Sequence, residues 1–142
     1  MSNLKEKDLK TEFDAVVHYI ENLDEVRLSE ELSNYKMYNG FSKSMFVFLI
    51  GEAFVKFASA GDSHLISSEG YCGAETCNYK CTGFSFKGNS SGCYMNMVIE
   101  EVDGKVIDIT ECVEFCLVDE DKIFYKEKLI RIDTTEKGVN LF

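Results

Sequence analysis

The sequence predicts an α+β domain: three N-terminal helices packed on an antiparallel meander of about four to five strands. Three observations carry that expectation. Apolar residues recur with a helical period up to about residue 61, and with an alternating period beyond it. Glycine and asparagine stand where the elements should end, and there is no proline among the 142 residues. Hydrophobic residues make up 45% of the chain, with 11 Phe and 7 Tyr, which is enough for one packed core. A helical part, 1–61, and a sheet part, 62–142, therefore form a single domain.

In the helical part, Leu9, Phe13, Val16, Val17, Ile20 and Leu23 repeat at helical spacing with acids and Lys between them. That pattern predicts an amphipathic helix of about 16 residues lying on the core by one stripe. Ser29 is placed to cap a short second helix running through Leu32 and Tyr35, with Asn39-Gly40 as its stop. Phe41 followed by Ser42 or Ser44 opens a third helix, MFVFLIGEAFVKFA (45–58), with Gly61 just past its end. It is apolar nearly all round and is expected to be buried on every side as the central element. It is too short to span a bilayer and carries Glu52 and Lys56 one turn apart.

In the sheet part, CTGFSFK (81–87) alternates, with Phe84 and Phe86 on one face. The clearest element is the hairpin CYMNMVIEEVDGKVIDITECVEFC (93–116). A two-residue turn at Asp103-Gly104 pairs Ile99 with Asp108 and mixes the faces. A three-residue loop, Val102-Asp103-Gly104, pairs Ile99 with Ile107 and Met97 with Ile109. The second register is the expected one. It gathers Cys93, Met95, Met97, Ile99, Ile107, Ile109, Val113 and Phe115 on one apolar face. A turn at 119–122 and a bent strand, or two short ones, over 122–133 complete the sheet. This order of elements also permits a helix-filled curved sheet of the NTF2-like or cystatin-like kind, an analogy of element order alone.

The six cysteines concentrate in and after a polar segment, GYCGAETCNYKC, whose Cys72, Cys77 and Cys81 are spaced C-x4-C-x3-C. Structural zinc sites use thiolates at close spacing in two halves, so this Cys-rich loop, 70–81, is a candidate zinc staple. Cys112 from the sheet is the natural fourth ligand, and His64 is the alternative. Loop disulfides and ordinary reduced thiols remain open beside it. Cys112 and Cys116 are about 13 Å apart on an extended strand, too far to share one ion or one disulfide. Cys93 reads as a small buried hydrophobe. A cysteine nucleophile would need a neighbouring base, and the only histidines are His18 and His64. GFSFKGNSSGCY (83–94) has glycines around Asn-Ser-Ser but lacks the GK[ST] and following helix of a phosphate loop. Adjacent acids such as Glu100-Glu101 read as solvated surface, Asp108 and Glu114 stand too far apart along a strand to form a dyad, and no HExxH or Ser-His-Asp pattern occurs, so the reading leans away from an enzyme.

The formal charge is −10, from 25 acids against 15 Lys and Arg. That opposes direct nucleic-acid binding and attraction to an anionic membrane, and it suits a basic protein partner. Glu100, Glu101, Asp119, Glu120 and Asp121 are the candidate contact acids, with Tyr94 as an aromatic anchor beside Tyr35 and Tyr38. The N-terminal stretch MSNLKEKDLKTEF is charged where a signal core would sit, so a cytoplasmic protein is expected. The leading functional expectation is an acidic protein-binding module, such as an inhibitor or immunity-type protein that blocks a basic, nucleic-acid-acting enzyme. The alternatives are a small-ligand-binding or enzymatic curved-sheet domain, and a zinc-stapled interaction domain.

Overall fold

Side-chain caps set the helices, and the first one sets a shorter helix than the periodicity implies. The computed structural model describes residues 9–72, 82–112, 115–117 and 128–132. Helix α1 spans Glu12–Glu21, and the Thr11 hydroxyl accepts the Asp14 N–H at 3.0 Å. Glu12 and Asp14 in its first turn suit the positive end of the helix dipole. Leu9 precedes the cap and Leu23 takes a left-handed backbone, φ 55°, so the helix has ten residues rather than about sixteen.

Asp24 then caps α2, Glu25–Glu31, accepting the Arg27 N–H at 3.1 Å. Ser29 is therefore interior to α2 and not its cap, because an equally good capping residue comes first. Asn39-Gly40 does not stop that helix. Its two residues, φ 56° and 81°, form the turn of a small ribbon between β1, Met37–Tyr38, and β2, Phe41–Ser42. Ser42 caps α3, Lys43–Ser59, accepting the Met45 N–H at 3.3 Å.

The main sheet contains β3 (Leu65–Cys72), β4 (Thr82–Gly88), β5 (Tyr94–Val102), β6 (Lys105–Glu111) and β7 (Phe115–Leu117). The spatial order is β6-β5-β4-β3-β7, with every neighbouring pair antiparallel. The α+β class and the meander β3 to β6 follow the expectation, while β7 returns to the far edge and pairs with β3. In a flat sheet, β6 and β7 would lie four strand spacings apart, about 19 Å. The four residue steps from Glu111 to Phe115 span at most about 14 Å. The sheet must therefore curl so that its edges approach.

One face of the sheet meets the helices in a single apolar cluster. Leu65, Phe86, Met95, Met97, Ile99, Val106 and Ile109 pack with Val16, Ile20, Phe46, Ile50 and Phe57, all at most 1% exposed. Each such side chain contributes roughly 1.5–3 kcal/mol through its removal from water. Helix α3 is not buried on all sides, however. Met45, Phe48 and Val55 are 45%, 59% and 57% exposed, because α2 and the sheet cover only one side of it.

The hairpin register differs from both alternatives read in the sequence. The turn is the two-residue one, with Val102 opposite Lys105 and with Asp103 and Gly104 at φ 52° and 83°. A bulge between Glu100 and Glu101 then shifts the ladder, so Ile99 faces Ile109 and Met97 faces Glu111. Val106 takes the core position expected of Ile107, which is 42% exposed. Met95, Met97, Ile99 and Ile109 are buried as expected, and Cys93 is half-buried against the core. Val113 lies outside the described residues.

The open edge of β6 is covered by side chains. Glu12 Oε1 accepts the Val106 N–H at 2.7 Å, and Lys36 Nζ donates to the Val106 carbonyl at 2.9 Å. Asp108 Oδ1 accepts the Asn39 N–H, and Asn39 Oδ1 accepts the Glu111 N–H. These contacts satisfy backbone groups that another strand could otherwise pair with. Of the expected last ribbon, residues 128–132 are described. Leu129 forms a parallel bridge with Tyr94, and Glu111 Oε2 holds Arg131 Nε at 2.9 Å and the Ile132 N–H at 2.7 Å.

Candidate functional site

The proposed zinc ligands separate along β3. Cys72 closes that strand, whereas His64 immediately precedes it. Eight extended residue steps separate them, about 26 Å at the usual rise. One ion with ligand bonds near 2 Å cannot join them, so His64 is no alternative ligand in a site built on Cys72. His64 instead belongs to the opposite end of the strand. Its Nδ1 lies 3.0 Å from Ser63 Oγ, and its N–H donates to Asn89 Oδ1 at 3.3 Å. The sequence reading missed this separation because the strand character of LISSEGYC is weak.

Cys72 pairs with Phe115 of β7, three residues after Cys112. Across the ladder, however, Cys112 stands beside Asn96, which is level with Ser85 and Ser68, four residues back along β3 from Cys72, while Cys77 and Cys81 lie outside the described residues. Cys112 is 8% exposed, and its N–H donates to the Asn96 carbonyl at 3.2 Å. Among the described residues, no group of three His, Cys, Asp or Glu side chains is arranged to hold a metal.

The candidate contact residues divide as well. Tyr94 is 6% exposed and starts β5, so it is a core residue and not a surface anchor. Tyr38 is fully buried, with its hydroxyl oxygen accepting the Ser33 N–H at 3.0 Å, and only Tyr35, at 95%, stands in solvent. Burial first, and then Glu12 and Asp108, push the Tyr38 phenol up despite that hydrogen bond. Glu100 and Glu101 are exposed at the other end of β5, about 20 Å from Tyr94 along the strand. Asp119, Glu120 and Asp121 lie outside the described residues.

The hairpin end that carries Glu100 and Glu101 also exposes Val102 (56%), Asp103 and Ile107 (42%). Glu101 Oε1 accepts the Gly104 N–H at 2.8 Å, which ties the turn to the strand. The turn is also tied to α1, whose Phe13 N–H donates to the Gly104 carbonyl at 2.9 Å. Acidic and apolar groups are therefore displayed together on a braced support. The exposed Ile107 was not legible in the alternation, which assigns it to the core.

Other acids have structural work. Glu21 is 4% exposed and accepts the Ser67 hydroxyl at 2.6 Å. Asp24 is the α2 cap. Burial, and then Glu12, raise the Glu31 carboxyl. Asp62 is buried and accepts the Ser90 and Ser91 N–H groups at 2.7 Å each and the Ser91 hydroxyl at 2.6 Å. Burial pushes its carboxyl up, but the Ser91 and Ser90 hydrogen bonds and the nearby His64 outweigh that, leaving it below the ordinary value. In GNSSG the Ser90 and Ser91 N–H groups are thus already taken by a carboxylate, and those of Gly88 and Asn89 by the Cys93 and His64 carbonyls. Among the described residues, Asn96 Oδ1 and His18 Nδ1 are sealed from solvent and find no hydrogen-bond partner.

Among the described residues, no helix is long and apolar enough to cross a membrane. No protein-family model, curated protein or solved structure significantly matches the chain.

Proposed function

We propose that the chain is an acidic protein-binding module that meets a basic partner through the end of the β5–β6 hairpin. The observation that carries this reading is the bulge, which turns Ile107 outward at the hairpin end where Val102, Glu100, Glu101 and Asp103 are also exposed. Apolar side chains give a contact its desolvated centre, while carboxylates steer a cationic surface and set its register. An inhibitor of the immunity type, which covers the phosphate-binding surface of a nucleic-acid-acting enzyme, is the form of partnership this chemistry suits best. The chain's −10 charge supports the same sign of partner.

The curved-sheet ligand reading has no comparable support. Fully buried Phe46, Phe57, Phe86, Met95 and Met97 belong to one apolar cluster between the helices and the sheet, with no polar group among them to orient a ligand.

The test is affinity capture from host lysate with wild type and with Glu100→Lys/Glu101→Lys as baits, read by quantitative mass spectrometry at two salt concentrations. The expected result is a basic protein that is retained by wild type, lost with the double reversal, and weakened at high salt. A partner held equally by both baits would overturn the hairpin assignment.

A further inference from the structure

The hairpin bulge sits where burial alone would not put it. Val102 faces Lys105, Glu101 faces Val106 and Glu100 faces Asp108, so Ile107 is the extra residue. Moving the bulge by one residue would set Ile107 opposite Glu101 and leave both flanking pairs unchanged. Ile107 would then point inward and Val106 outward. Ile107 carries one methylene more than Val106, so its burial is favoured by about fourfold. Yet Val106 is 0% and Ile107 42% exposed.

Contacts along the open edge of β6 supply the opposing preference. Both backbone groups of Val106 are held from that edge: Glu12 Oε1 accepts its N–H at 2.7 Å, and Lys36 Nζ donates to its carbonyl at 2.9 Å. Two residues earlier, the Phe13 N–H holds the Gly104 carbonyl at 2.9 Å. A bulge bends its strand, and the edge beside 104–106 is already occupied by these groups and by Thr11, whose Cγ2 would lie 2.8 Å from a Cβ at Gly104. An extra residue in that stretch would pull Val106 off both charged partners. One hydrogen bond to a charged group shifts an equilibrium by about tenfold or more, so two of them outweigh the preference of about fourfold for burying Ile107.

We infer that Glu12 and Lys36 are positioning residues of the hairpin: by gripping Val106 they keep Ile107, rather than Val106, on the outside. They thereby select the apolar side chain that the hairpin end presents to a basic partner. That consequence rests on the hairpin reading proposed above, whereas the choice between Val106 and Ile107 is a property of the isolated chain. The two arrangements form a two-state element, and the edge contacts set its population.

Methyl NMR of the isolated protein with a neutral gadolinium chelate in solution reads which side chain meets solvent. In wild type, the Ile107 methyls should relax strongly and the Val106 methyls weakly. Glu12→Ala/Lys36→Ala should reverse that order, and Glu12→Ala alone should give a smaller contrast than wild type. Glu12→Gln, which keeps the accepting oxygen, should retain the wild-type pattern. That rescue separates positioning from a general loss of stability, which would also expose the Met97 and Ile109 methyls. A folded double variant that keeps Ile107 outside overturns the inference. If the double variant does not fold, an unchanged contrast in Glu12→Ala overturns it, as does a reversed order in Glu12→Gln. None of these outcomes depends on a partner, so the capture experiment above can fail independently of them.

Discussion

Ile99 of β5 faces Ile109 of β6, one position beyond the Asp108 that the two-residue turn alone would set against it. The extra residue is Ile107. Leaving a carboxylate opposite Ile99 in the core would cost several kcal/mol unless it were paired, whereas exposing one isoleucine forfeits at most about 3 kcal/mol. The bulge takes the smaller loss. It also frees Asp108 to accept the Asn39 N–H at the strand edge.

This arrangement separates two adjacent residues that look alike in the sequence. Val106→Ala should lower stability by about 2 kcal/mol, because it opens a void under α1. Ile107→Thr should change stability by less than about 0.5 kcal/mol. Urea unfolding of the two variants measures the contrast, and a reversed order would show the register to be wrong.

The Asp62 carboxylate should make the GNSSG turn acid-sensitive. Its folded-state pKa lies below the ordinary value of about 3.9, so its stabilisation is present in full above that value and fades as the pH falls through the folded value. Asp62→Asn should cost roughly 2 kcal/mol or more at pH 7, and the gap to wild type should begin to narrow only below about pH 4. Thermal melts of both proteins from pH 7 to pH 3 test this. Glu31 acts with the opposite sign: its raised pKa means that deprotonation at neutral pH opposes folding, so Glu31→Gln should stabilise at pH 7 and lose that advantage in acid.

Two glycines should answer the same substitution in opposite ways. At Gly88 a Cβ would overlap the Asp62 carboxylate, which three hydrogen bonds hold in place. Gly88→Ala should therefore lower the melting temperature by on the order of 5–10 °C. At Gly51 the Cβ meets only the far end of the Glu25 side chain, which can swing away. There the gain in helix propensity, up to about 1 kcal/mol, should dominate, and Gly51→Ala should be neutral or stabilising. Differential scanning calorimetry of the pair decides between these outcomes.

The length of β3 bears on any bound metal. His64→Ala should leave the zinc content of the purified protein unchanged, whatever that content is, because Cys72 lies about 26 Å away along the strand. Metal analysis showing a loss of zinc in His64→Ala would contradict that separation.

The legible parts of the fold were those set by local chemistry. Ser42 caps α3 and Gly61 follows its end, as the sequence implies, because a cap needs only neighbours within one turn. Alternation placed Met95, Met97 and Ile99 on the core face of β5 for the same kind of reason. Ser29 misled because Asp24, five residues earlier, has the same capping ability. The zinc ligand set was only partly testable by spacing, since Cys72 and His64 look close until the strand between them is extended.

By itself, then, the sequence determined the α+β class, the helix-then-sheet order, the acidic charge and most of the buried face of β5. Those follow from period, composition and caps, each of which acts over a few residues. Tertiary structure alone decided that β7 pairs with β3, that Ile107 and not Val106 is exposed, that Tyr94 is buried, and that one side of the apolar α3 remains open. Each of these depends on which surface comes to lie against which. Long-range packing settles that by weighing a whole face at once, and no single residue's spacing records the result.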